Sequence, residues 1–315
     1  MKKVNFFVFL ALLSSTLANA ETNTTHNKTG SKPLIDLFAE MKKPAEQKTI
    51  VDKVKPVAIP KAKEQKTKLE SSSKKINWSY SGKGKPAFWG ELSEKYSDCK
   101  TGKHQSPINL IESKSMTLTG LEDFDVFYRD AALKIKNNGH TVQVDYPLGS
   151  YILVNQHRYE LLQFHFHTPS EHQLNGFNYP MEMHLVHKNA DGDLAVIGII
   201  FQEGEKNLML QKIIRKAESE KSKAKLFTEI NINPSDLYPP EKMFYKYSGS
   251  LTTPPCSQGV YWMVFKNPVS ASASQLKRMN DIMGDNHRPV QKHHARTILK
   301  SWHNKSPDST SYQFY

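Results

Sequence analysis

Gln163-Phe164-His165-Phe166-His167 and Glu182-Met183-His184-Leu185-Val186-His187 decide how this chain reads. Both stretches alternate, and residues i and i+2 of a β-strand share a face. His165 and His167 are therefore expected on one face, with Phe164 and Phe166 packed behind them. His184 lies seventeen residues beyond His167, enough chain for a turn and a return strand. Three imidazoles converging from two strands suit a catalytic zinc site, where three protein ligands leave the fourth tetrahedral position open. A structural zinc site would close its shell with thiolates, and the two cysteines, Cys99 and Cys256, stand far apart.

Outward from these stretches, β-rich segments follow one another from Ile76. They are Leu133–Ile135, Thr141–Tyr146, Tyr151–Val154, Leu161–His167, Met181–Lys188, Leu194–Phe201 and Gly259–Phe265. Asp191-Gly192 is a hairpin signal between two of them. Helical periodicity runs from about Asn207 to Ser219, with Leu208, Leu210, Ile213 and Ile214 on its apolar face, and a second helix is expected over Ala273–Met283. The expected fold is a β-dominated mixed α/β class. It has a large central twisted, mainly antiparallel sheet with a few short peripheral helices, confined to one domain at 76–302 and followed by a polar tail at 303–315.

The N-terminus reads as an export leader. Lys2 and Lys3 precede the mostly apolar Asn5–Leu13, and Ala18-Asn19-Ala20 matches a small-x-small cleavage site. An uncleaved membrane anchor is the alternative, but the apolar run is shorter than the roughly 20 residues that span a bilayer. An exported, periplasmic or otherwise extracytoplasmic protein is expected. An oxidising compartment favours pairing Cys99 with Cys256; two free buried thiols are the competing reading.

The net charge of +12 invites a nucleic-acid partner, yet lysines crowd into residues 21–75 among Glu, Gln, Pro, Ser and Thr. Such a composition buries too little apolar surface to fold alone and reads as a disordered tail or linker. Weak contact with an anionic envelope or membrane surface is the most that it suggests, and no nucleic-acid fold is recognisable.

Around the three histidines, Glu182 shares a face with His184, and Gln163 stands in the same relation to His165. Either could receive an N–H from a ligand ring and fix its tautomer; ordinary polar residues on a solvated strand face are the alternative. His187 faces the other way, and like His172 reads as a hydrogen-bonded structural residue. His293 and His294 sit in a basic segment and are expected to face solvent.

The run Phe164-His165-Phe166-His167-Thr168-Pro169-Ser170-Glu171-His172, followed by Met181–His187, closely resembles the α-class carbonic anhydrases of bacterial, exported type. The likeness covers most of residues 76–300. It includes Gln105-Ser106-Pro107-Ile108-Asn109, Asn138-Gly139-His140, Ser250-Leu251-Thr252-Thr253-Pro254-Pro255 and Asn286-His287-Arg288-Pro289.

That resemblance implies reversible hydration of CO2 to bicarbonate and a proton, by attack of zinc-bound hydroxide. It implies Zn2+ on His165, His167 and His184, with Thr252 and Glu171 orienting the hydroxide and His140 as proton shuttle. An imidazole suits that role because its unperturbed pKa is about 6.5. Val186, Val196, Leu251, Thr253, Val260 and Trp262 match the family's substrate pocket, and Cys99 and Cys256 its disulfide. Some bacterial relatives form dimers, so a homodimer is an open expectation. The rivals are an esterase-type zinc hydrolase and a binding or adhesion domain of the same fold. The second usually lacks a zinc-binding histidine, whereas all three are present here.

Overall fold

Strands made of alternating side chains carry most of the molecule, which is a computed structural model describing residues 77–118 and 124–303. The expected leader, the basic tail and the end of the chain beyond residue 303 lie outside the described residues. In chain order, ten strands form a continuous path: β1 Met116–Thr117, β2 Ala131–Asn137, β3 Val142–Asp145, β4 His157–His167, β5 Met181–Lys188, β6 Leu194–Glu203, β7 Lys225–Ile232, β8 Phe244–Ser250, β9 Gln258–Phe265 and β10 Leu299–Lys300. Their spatial order is β7-β2-β3-β4-β5-β6-β9-β8-β10-β1. Pairing is antiparallel except for β6 with β9 and β10 with β1, which run parallel. Tyr151–Val154 folds back on the first half of β4.

Both faces of the sheet centre are buried, so β5 is enclosed along almost its whole length. One face carries Phe164, Phe166, Met183, Leu185, Ile197 and Ile199. The opposite face carries Val186, Val196, Val260, Trp262 and Tyr247. Phe164 and Phe166 thus back the histidine face as the alternation requires.

Helices are peripheral. The first of useful length, α1 (Leu208–Ile214), begins where the Asn207 side chain accepts from Leu210 N–H. The sequence reading carried it to Ser219, but it stops five residues earlier. Lys216 and Ala217 N–H both turn onto the Ile213 carbonyl. Asn137 at the end of β2 then claims the Glu218 carbonyl and Ser222 N–H, and this tertiary capture ends the helix. The second, α2 (Ala273–Met283), has the expected bounds and opens on a capping box between Ser272 and Gln275.

Strands β7 and β8 were not anticipated. β7 is an edge strand exposed along most of its length, so it lacks a half-buried pattern. β8 ends in Ser248-Gly249-Ser250, which reads locally as a loop. Gly249 is there because of packing: a Cβ would meet Ser106 Oγ at 2.1 Å and Trp262 Cδ1 at 2.8 Å. The Asp191-Gly192 turn is present, with Gly192 at φ 97°.

Candidate metal centre

Strand register brings the histidines together. His165 on β4 pairs with His184 on β5, and His184 pairs with Gly198 on β6. Directly paired residues project from the same face, so His165, His167 and His184 share one. Nitrogens of these three rings all lie within 4.8 Å of one another. His167 and His184 are buried and His165 half-buried.

Hydrogen bonds determine which nitrogens are free. His167 Nδ1 lies 2.8 Å from the Asn286 carbonyl oxygen; a carbonyl only accepts, so Nδ1 carries the proton and Nε2 keeps its lone pair. His165 Nδ1 donates in the same way to Gln163 Oε1 at 2.9 Å, leaving Nε2. His184 uses the other nitrogen, donating from Nε2 to Glu182 Oε1 at 2.8 Å and leaving Nδ1. Burial lowers the pKa of all three rings, that of His167 to about 4. Three neutral imidazoles therefore point unprotonated nitrogens at one spot, which is the donor set that zinc takes.

Two buried atoms at that spot lack a hydrogen-bond partner, His167 Nε2 and Glu171 Oε2. They lie 3.5 Å apart, and Glu171 Oε2 is 3.8 Å from His184 Nδ1. An unpaired buried polar atom is costly. A cation held by the rings would take up the His167 Nε2 lone pair and counter the Glu171 carboxylate charge beside it, so these residues fit the ion.

Behind the rings runs a buried polar chain. Glu182 accepts from His184, from His172 Nδ1 at 2.7 Å, and from the backbone N–H of Glu171 and His172. Burial acts to raise the Glu182 pKa, but His172 and His184 hold it well below the ordinary carboxylate value. His172 Nε2 meets Tyr247 Oη at 2.6 Å, and Tyr247 Oη meets Ser106 Oγ at 2.8 Å. His172, Glu182 and His184 also form a metal-like cluster, but these hydrogen bonds already occupy it. Gly198 makes room for the arrangement, since a Cβ there would approach Glu182 Oε1 to 3.0 Å.

Glu171 is fully buried and its Oε1 accepts from Arg288 N–H at 2.8 Å. Burial raises its pKa, opposed by His184, the Thr252 side chain and that N–H. Thr252 is 5% exposed. Val186, Val196, Val260 and Trp262 form one apolar cluster, with Leu251 packed against it; Thr253 is half-buried on the adjoining loop. His187 is turned away, bonded to Tyr128 Oη at 2.6 Å, with burial lowering its pKa to about 3. His294 is exposed and His293 half-buried.

His140 sits in a turn closed by Asn138, whose side chain accepts from His140 and Thr141 N–H. Its ring stacks on Trp78 at 3.7 Å and 13°. Burial, then the Lys221 charge, lowers its pKa. Cys99 and Cys256 form a disulfide.

Three contributors escaped the sequence reading: Asn286, Arg288 and Trp78. Asn286 accepts from His167, receives Thr168 N–H, and donates to the carbonyls of His140 and Phe166. The buried Arg288 guanidinium donates to Gln105, Ser106 and Cys99. Asn286 and Arg288 lie in a motif that carried the resemblance, but nothing in local sequence says that its backbone would serve as a partner.

Comparison with known proteins identifies the chain's relatives. The model of the eukaryotic-type carbonic anhydrase family matches residues 84–302. A carbonic anhydrase of Nostoc sp. is 42% identical over 231 residues, 73% of this chain and 88% of the relative. One from Pectobacterium atrosepticum is 41% identical over 231 residues, covering 73% and 93%. The structure of the α-carbonic anhydrase from Thermovibrio ammonificans with the inhibitor sulfanilamide aligns at TM-score 0.69 and 43% identity, over 71% of this chain and 98% of that one.

Proposed function

The chain belongs to the eukaryotic-type, or α, carbonic anhydrase family, and from that premise we propose that it interconverts CO2 and bicarbonate with Zn2+ on His165 Nε2, His167 Nε2 and His184 Nδ1. The observation that carries this reading is the convergence of those three nitrogens, each left free by a hydrogen bond at the other ring position. Zinc bound there supplies a water acidic enough to be a nucleophile near neutral pH, as is general for carbonic anhydrases.

The protein's own residues do the rest. Glu182, Gln163 and the Asn286 carbonyl fix ring orientation and tautomer. Glu171 receives the Thr252 hydroxyl, which leaves the threonine oxygen able to accept from the attacking water and orient it. Val186, Val196, Leu251, Val260 and Trp262, with Thr253 at the rim, present an apolar wall to CO2. His140 accepts the proton released at the site and passes it to solvent, an exchange that imidazole makes near neutral pH; burial, which lowers its pKa, favours the release half of that exchange.

The leader and the Cys99–Cys256 disulfide support export to the periplasm or a similar oxidising space. Among the described residues no helix is long and apolar enough to cross a membrane.

Stopped-flow CO2 hydration tests this on protein lacking residues 1–20, with zinc measured in the same sample. Activity proportional to zinc, at one ion per chain, is the expected result. Full zinc occupancy without hydration would overturn it and move the ester and binding readings forward.

A further inference from the structure

A cleft of about 280 Å3 opens beside His140, with Lys221 and Ser219 among its lining residues. It is large against the roughly 30 Å3 that a water occupies in the liquid, so a small tetrahedral oxyanion fits with water around it. The segment bearing Lys221 is held in place by two bonds to the end of β2, Ser222 N–H to the Asn137 carbonyl at 2.8 Å and Asn137 N–H to Ser222 Oγ at 3.2 Å. Gly139, at φ 90°, lets the lysine stem lie across the turn, since a Cβ there would come within 3.2 Å of Lys221 Cδ.

Most polar groups lining the cleft are committed. Asn137 donates to the Glu218 carbonyl and accepts from Gly139 N–H, and the Thr141 hydroxyl donates to the Phe166 carbonyl. The Glu218 carboxylate is taken by Lys225 and Ser222. Two donors remain without a hydrogen-bond or ion-pair partner among the described residues, the Lys221 ammonium and the Ser219 hydroxyl. A free cation and a free hydroxyl, both lining a cleft that His140 also lines, make a receptor for a small anion. The anion that a proton shuttle meets is a base.

We propose that this cleft docks the small oxyanion base that relieves His140 of its proton, a class that includes hydrogenphosphate and bicarbonate. The inference rests on reading His140 as the shuttle. In the transfer the imidazolium N–H bond breaks and its electron pair returns to the ring. An O–H bond forms on hydrogenphosphate, which leaves as dihydrogenphosphate. Lys221 holds the more highly charged form and releases the less charged product.

The test measures CO2 hydration by the zinc-loaded full chain against phosphate concentration, and separately against imidazole, at fixed pH and ionic strength. Lys221→Gln is expected to raise the phosphate concentration for half-maximal turnover by about threefold, the scale of one exposed charge contact, with a smaller shift in the imidazole curve. Lys223→Gln, an exposed neighbour outside the cleft, is expected to reproduce the wild-type phosphate curve. Coincident wild-type and Lys221→Gln phosphate curves would overturn the proposal, as would equal shifts with both acceptors. His140→Ala separates the two readings. A slow His140→Ala enzyme beside an unaltered Lys221→Gln enzyme keeps the shuttle and removes the docking site, whereas His140→Ala with wild-type turnover in dilute buffer removes both.

Discussion

Single side chains in this protein are tuned by what surrounds them rather than by their type. His187 is an imidazole sealed in the apolar face, and burial lowers its pKa to about 3. The unfolded chain takes up a proton there near pH 6.5, which the native state refuses until far lower pH. Stability at this position is therefore complete above about pH 6.5 and declines as pH falls toward the folded value, by at most about 1.4 kcal/mol per unit. Urea unfolding of wild type and His187→Gln between pH 7 and 4 is expected to show a shallower loss in the variant; parallel curves would refute this. Glu182 has the opposite tuning and remains an anion. Glu182→Gln keeps its shape but removes the charge behind His184, and zinc affinity measured by chelator competition is expected to fall about 10- to 100-fold. Its role was legible from the i, i+2 spacing to His184. The Asn286 carbonyl, which accepts from His167, was not, because backbone atoms carry no sequence signature.

At the level of strands, one irregularity between β4 and β5 makes the site. Leu161 pairs with His187, but the next pair is Gln163 with Val186, so Leu162 is an extra residue on β4. Without this bulge the pairing would continue with Gln163 opposite Leu185 and His165 opposite Met183. His184 would then face the other side of the sheet from His165 and His167. Each strand's alternation was readable alone; their relative phase was not. The neighbouring strand contributes an empty space at Gly198. Gly198→Ala places a methyl 3.0 Å from Glu182 Oε1 and 3.2 Å from Val264 Cγ2, and the carboxylate is anchored by two histidines and two N–H groups. The variant is expected to stay folded and lose about tenfold or more in zinc affinity. Wild-type affinity in chelator competition would show that the sheet absorbs the methyl without moving Glu182.

Across the whole molecule, the disulfide joins residues 157 positions apart. The chain-entropy model assigns such a loop roughly 5 kcal/mol as an upper figure. Its two ends touch the site's supports: Cys256 N–H donates to the Thr253 carbonyl, Gln105 reaches the Cys256 carbonyl, and Arg288 reaches that of Cys99. Arg288 N–H in turn holds Glu171. Cys99→Ser/Cys256→Ser is expected to lower unfolding free energy by several kcal/mol in denaturant titrations, up to that figure. An unchanged denaturation midpoint would show that the closed loop contributes nothing.

Sequence alone determined which residues could meet a metal and which side of each strand they occupy, because strand alternation is local and the two histidine stretches obey it. It also determined α2, whose capping residues, Ser272 and Gln275, are local to the helix's own start. Tertiary structure decided the rest. The bulge put three rings on one face, the captured segment after α1 set Lys221 beside His140, and the loop from Asn286 to Arg288 delivered backbone partners from more than a hundred residues away. Those outcomes depend on how strands register and which distant backbone groups find each other, and no local pattern of side chains encodes either.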